Sequence, residues 1–126
     1  YKMSGEKKNI KPKLNEGEYV FCSVDNIEKL DIKNLVGSFK ENEGYTIILS
    51  KKEATSLGFT YSFVAAWITL TITSSLESVG LTSSFSNALT QEGISCNVIA
   101  GYFHDHIFVK FGDRIKAMEV LNKLKY

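Results

Sequence analysis

The sequence predicts an α+β protein of the ferredoxin-like βαββαβ type, and three observations carry that reading. From Val64 onward the chain reads strand, helix, strand, strand, helix, which is all but the last element of such a unit. The strongest strand, Val64 to Thr73, alternates Val64, Ala66, Ile68, Leu70 and Ile72 with Ala65, Trp67, Thr69, Thr71 and Thr73. One of its faces is aliphatic and suits a cover of helices; the other carries threonines and a tryptophan. A faint internal repeat sets Ser38-Phe39…Glu43-Gly44-Tyr45 beside Ser84-Phe85…Glu92-Gly93-Ile94, which points to two related halves. The C-terminal half lacks its sixth element, a strand, so a strand from the N-terminal half is expected to fill an exposed sheet edge.

Residues 1–16 read as a flexible arm. They are rich in Lys, Glu and Asn, Ile10 and Leu14 are the only aliphatic residues after Gly5, and Pro12 discourages a helix. Tyr19 to Val24 is the first strand, with Val20, Cys22 and Val24 on one face. Ile32, Leu35, Val36 and Phe39 have helical spacing and predict a short helix over residues 34–42, closed by Gly44. Tyr45 to Leu49 follows as a strand rich in β-formers. Ser50 and Glu53 form a capping box for a short helix that stops at Gly58, with Phe59 packing back.

After the small-residue turn Ser74 to Gly80 comes an amphipathic helix. Leu81, Phe85, Ala88 and Leu89 form its apolar stripe and Gly93 its stop. Cys96 to Phe103 is the next strand, His104-Asp105 a hairpin tip, and Ile107, Val109 and Phe111 line one side of the returning strand. Asp113 is the expected cap of the last helix, where Ala117, Val120, Leu121 and Leu124 share a face.

Composition narrows the function. The 126 residues hold 15 Lys and Arg against 14 Asp and Glu, a net charge of +1. Proteins that neutralise many phosphates carry a larger basic excess, so nucleic acid is not an expected partner. The only long apolar stretch, Phe63 to Ile72, is too short to span a bilayer, so neither is a membrane. The N-terminus is lysine-rich with no apolar core behind it, which predicts a cytoplasmic protein. Two cysteines make no disulfide framework, and Cys22 and Cys96 are expected as buried thiols. No nucleophile with an orienting acid–base pair, no phosphate-binding loop and no zinc-ligand pattern occurs, so no enzyme activity and no cofactor is expected.

Three blocks resemble the small bacterial-type proteins built from tandem ACT-like domains, a family of largely uncharacterised function. They are Glu18-Tyr19-Val20-Phe21-Cys22-Ser23-Val24; Trp67-Ile68-Thr69-Leu70-Thr71 with Ser74 to Thr82; and Gly93-Ile94-Ser95-Cys96-Asn97-Val98-Ile99-Ala100-Gly101-Tyr102-Phe103-His104-Asp105-His106. The similarity runs from about Pro12 to the C-terminus. It implies an N-terminal ACT-like subdomain over residues 17–62 and an ACT domain over residues 63–126, each an antiparallel sheet covered by helices.

ACT domains are regulatory modules that commonly bind amino acids at interfaces between paired sheets. The resemblance maps the ligand loop onto residues 74–82 and the facing strand onto residues 97–100. The candidate ligand-binding residues are therefore Ser75, Glu77, Val79, Gly80, Leu81, Thr82, Asn97, Val98 and Ile99. Hydroxyls, one carboxylate and the amides at a helix N-terminus suit a zwitterion: the amides favour its α-carboxylate and Glu77 its α-amino group. The plainer reading is that the serines and Thr82 shape and cap the turn. Asn97, in an otherwise apolar strand, either ties strands or reads a ligand.

His104-Asp105-His106 reads as a polar hairpin tip rather than a metal site, because a tight turn separates the two imidazoles. Trp67 is a core or interface residue before it is a stacking platform. The expected function is a non-enzymatic sensor or regulatory module that binds an amino acid and forms a homodimer through sheet edges. The alternatives are an interaction module without a small ligand and, further off, a ferredoxin-like RNA binder.

Overall fold

A computed structural model describes residues 10–71 and 81–124. The chain divides into two compact units, Glu16–Ala66 and a second built from Tyr1–Asn15 with Trp67–Tyr126.

In the first unit, β2 (Tyr19–Val24), β3 (Leu35–Glu41), β4 (Gly44–Ser50) and the start of β5 (Val64–Leu70) form an antiparallel sheet; β1 (Pro12–Leu14) belongs to the other unit. The strand order is β3-β4-β2-β5. Numbered from β2, these are the second, third, first and fourth strands, the ferredoxin-like order. The helix that normally follows the first strand is reduced to a 3-10 turn at Ile32–Asn34, capped by the Asp31 side chain. The second helix is α1 (Lys51–Ser56).

Residues 34–42 are therefore not the helix their spacing predicts. They are the end of that turn and the strand β3, with a register shift between Leu35 and Gly37. Phe39 stands 72% exposed, so the spacing marks no buried stripe. Gly44 does not end a helix but closes the β3–β4 hairpin at φ +146°. A Cβ there would lie 2.7 Å from the Val24 carbonyl oxygen.

The core of this unit follows the alternation read from the sequence. Val20 pairs with Leu49 and Cys22 with Ile47, and all four are buried with Ala54 of α1. Ser50 Oγ accepts from the Glu53 amide at 3.1 Å, half of the predicted capping box. The helix ends as expected: the Phe59 amide donates back to the Ala54 carbonyl at 3.0 Å, across Gly58.

The second unit holds the rest of β5, α2 (Leu81–Gln91), β6 (Cys96–Ala100), β7 (Asp105–Lys110) and α3 (Arg114–Lys123). Its missing strand is β1, antiparallel to β5 with Pro12 opposite Leu70 and Leu14 opposite Ile68. The order β1-β5-β7-β6 is again ferredoxin-like, with the fourth strand supplied from the front of the chain. The flexible arm expected there is ordered at its end: the Ile10 side chain is buried, and Asn15 N–H donates to the Trp67 carbonyl at 2.9 Å. Backbone pairing with β5 outweighs the polar composition, and Pro12 opens an edge strand, where a missing N–H costs little.

Phe85 and Leu89 of α2, Ile107 and Val109 of β7, and Ala117 and Leu121 of α3 are fully buried, with Ile68 and Leu70 of β5. The Ile94 amide returns to the Leu89 carbonyl at 3.0 Å, closing α2 over Gly93 as predicted. Two expectations are corrected. The β6–β7 hairpin turns at residues 101–104, because Ala100 already pairs with Asp105, so β6 ends three residues early. Asp113 stands at the start of α3 but its side chain makes no capping bond; a 3-10 turn at Phe111–Asp113 leads into the helix instead.

Candidate functional site

Of the nine candidate ligand residues, Ser75, Glu77, Val79 and Gly80 lie outside the described residues. Leu81 is the first residue of α2. Thr82 follows in the first turn, exposed, with its carbonyl accepting from Ser86 Oγ at 2.6 Å. Asn97, Val98 and Ile99 lie on β6, the last strand in the order of its unit, so among the described residues no strand pairs with one edge of β6.

Asn97 is not the buried amide that its apolar neighbours suggest: it is exposed, because β6 is an edge strand. Ile99 lies opposite His106, and Val98 opposite Ile107. Since paired residues share a face, Asn97 and Ile99 stand on the face of the sheet turned away from the helices and Val98 on the helix-covered face. Val98 is 37% exposed and Ile99 39%. In the hairpin turn beyond, Tyr102 and Phe103 are 81% and 68% exposed and pack edge to face with ring centroids 5.0 Å apart.

None of the described candidate residues lines either of two shallow grooves. One, of about 340 Å³, lies between α2 and α3 and carries the Lys116–Glu92 ion pair at 3.5 Å. The other, of about 550 Å³, is bounded by Glu16, Tyr19, Lys51 and Thr55.

Sequence reasoning missed a polar network on the face of the second unit turned away from its helices. Trp67 Nε1 donates to His106 Nδ1 at 3.1 Å, and Thr69 Oγ1 lies 3.1 Å from the same nitrogen. Asn15 Nδ2 donates to Thr69 Oγ1 at 3.0 Å and to the Trp67 carbonyl at 3.2 Å. The network thus joins β1, β5 and β7, and Phe108 stacks on Trp67 with centroids 6.2 Å apart. Trp67 and Thr69 were legible as one strand face; that His106 and Asn15 meet them depends on strand order, which no local pattern shows.

Because an indole N–H only donates, Nδ1 of His106 must be a bare acceptor and its ring neutral, with the proton on Nε2. Burial lowers the His106 pKa below its ordinary value; His104 adds to this and Asp105 opposes it. His104 Nδ1 is buried without a hydrogen-bond partner among the described residues. Burial raises the pKa of both Cys22 and Cys96, so neither carries the thiolate that nucleophilic chemistry needs. Among the described residues no three His, Cys, Asp or Glu side chains converge as a metal site, and no helix is long and apolar enough to cross a membrane.

Comparison with known proteins gives this architecture its class. Two ACT domain models match in tandem, over residues 7–66 and 62–123. A Vibrio cholerae protein of unknown function, described as a possible transport protein, is 41% identical. The match covers 93% of this chain and 90% of that one, with a TM-score of 0.86. The chain therefore belongs to the ACT-domain family.

Two more distant structures share the fold. The aspartokinase alpha and beta subunits are 9% identical with a TM-score of 0.62, covering 94% of this chain and 97% of that one. A putative C-terminal regulatory domain of aspartate kinase from Porphyromonas gingivalis is 15% identical with a TM-score of 0.58, covering 90% and 96%. Comparison with curated sequences finds no match.

Proposed function

We propose that this protein is a non-enzymatic, cytoplasmic sensor that binds an amino acid between two copies of its second unit. The site comprises Ser75, Glu77, Val79, Gly80, Leu81 and Thr82 with Asn97, Val98 and Ile99. The observation that carries the reading is the edge of β6 that no described strand pairs, whose Asn97, Val98 and Ile99 are all exposed in a protein of the ACT-domain family. An unpaired strand edge seeks a partner, and a second copy offers a self-complementary one. An exposed amide beside that edge is free to read a polar ligand held there.

The test is a thermal-shift screen against the standard amino acids with sedimentation in parallel. A ligand at a hundred times its dissociation constant stabilises by about 2.7 kcal/mol. A hit lost in Asn97→Ala and in Glu77→Gln supports the site; a hit that survives both removes it.

The exposed Tyr102–Phe103 pair favours a second reading, an interaction module with no small ligand. A stable oligomer that no amino acid stabilises supports that alternative.

A further inference from the structure

We infer that the face of the second unit turned away from its helices holds a proton-operated latch, in which protonation of His106 breaks its hydrogen bond from the Trp67 indole while the Asn15–Thr69–His106 connection persists. This goes beyond ligand binding and does not depend on it. The inference rests on the donor and acceptor capacities of three groups that meet at one atom.

Nδ1 of His106 lies 3.1 Å from Trp67 Nε1 and 3.1 Å from Thr69 Oγ1. When Nδ1 gains a proton it becomes a donor. Thr69 tolerates the change. Its hydroxyl has two lone pairs, so Oγ1 can accept from Nδ1 and continue to accept from Asn15 Nδ2 at 3.0 Å. Trp67 does not: Nε1–H then faces N–H, and the indole loses this acceptor. The two partners of one nitrogen respond oppositely because one is amphoteric and the other is not.

The surroundings make the ring able to switch but averse to charge. His106 is half-buried and within reach of solvent protons. Among the described residues, the groups that face it are few. The turn contributes His104, whose ring lies 6.4 Å away and at a right angle, and the start of β7 contributes Asp105. Lys110 follows on the same face of β7, and Lys13 of β1 stands opposite Thr69; both are exposed. β5 and β6 carry no charged residue, and Cys96 of β6 lies opposite Val109, on the other face. Gly101 packs against the ring, and a Cβ there would come within 3.2 Å of its Nε2 and Cδ2. The imidazole is thus closely packed from behind, and the bond from the indole is the one that protonation breaks.

Trp67 is the only tryptophan, so its signals report the latch without labelling. The experiment follows the indole N–H and the Asn15 side-chain amide by NMR, with tryptophan emission, from pH 8 to pH 4.5. The expected result is one transition of the indole resonance with a midpoint below about 6.5, the ordinary histidine value. The Asn15 amide stays in place through it.

His106→Asn, whose carbonyl oxygen replaces Nδ1 as acceptor, should abolish the transition. His104→Asn should move its midpoint up and Asp105→Asn should move it down, with the amplitude kept in both. An indole signal that does not change, or a transition that survives His106→Asn or vanishes with His104→Asn, overturns the inference. So does an Asn15 amide that moves together with the indole. Should His106→Asn fail to fold, imidazole nitrogen shifts of the unaltered protein decide: Nδ1 protonated at pH 8 overturns the latch, and Nε2 protonated supports it.

Discussion

Leu14 pairs with Ile68 in the antiparallel register of β1 and β5, and so a segment near the N-terminus supplies the fourth strand of the C-terminal fold. Read from β5, the second unit runs strand, helix, strand, strand, helix, and then continues at the other end of the chain. The unit is a circular permutation of the usual order, made feasible because the two ends of its fold meet: Ile10 N–H donates to the Leu124 carbonyl at 3.4 Å.

This closure predicts that the segment before β2 carries stability. Ile10 is 2% exposed. Ile10→Ala should cost about 2–5 kcal/mol, the range for large-to-small changes at buried aliphatic sites. Urea unfolding measures it, and an unchanged midpoint would show that residues 10–14 are peripheral to the fold.

Gly101→Ala should be costly at a turn that looks permissive. Its Cβ would sit 2.9 Å from the His104 carbonyl oxygen as well as against the His106 ring. Overpacking of this kind costs about 1–3 kcal/mol. Gly112→Ala is the control, since nothing lies within 4 Å of a Cβ there. Only the first substitution should also shift tryptophan emission.

Stability should fall with acid through His106. Its folded-state pKa lies below the unfolded one, so the unfolded chain binds the proton more readily. The contribution is fully present above about pH 6.5 and is lost as the pH falls toward the folded-state value. Urea titrations at pH 7.5 and pH 5 should therefore differ less in His106→Asn than in the unaltered protein. Equal differences would mean that other groups set the acid response.

Ser50→Ala should weaken α1 in isolation from the network. The loss of the 3.1 Å bond to the Glu53 amide should cost about 1 kcal/mol. Hydrogen exchange should rise first in the amides of residues 51–57, leaving β6 and β7 unaffected; a uniform rise would place the effect elsewhere.

Local rules accounted for much of this fold. The alternation in β2 and β5, the Ser50 cap, and the returns across Gly58 and Gly93 each depend on residues a few positions apart. The resemblance of three blocks to ACT-domain proteins was legible in the same way. What failed were readings in which a local pattern competes with pairing at a distance. Ile32, Leu35, Val36 and Phe39 match a helix by spacing, yet β4 recruits residues 35–41 as a strand because hairpin pairing satisfies their backbone groups. Asn97 looks buried from its apolar neighbours, but its burial depends on how many strands flank β6, and among the described residues β6 has one.

The sequence by itself determined the composition of each element, the aliphatic and polar faces of its strands and the family to which the chain belongs. Only the tertiary structure decided that Pro12–Leu14 completes the second sheet, and that Asn15, Trp67, Thr69 and His106 share one hydrogen-bonded network. The physical reason is separation along the chain. Asn15 and Thr69 are 54 residues apart, and Trp67 and His106 are 39 apart, so only the order of strands brings their polar atoms within bonding distance.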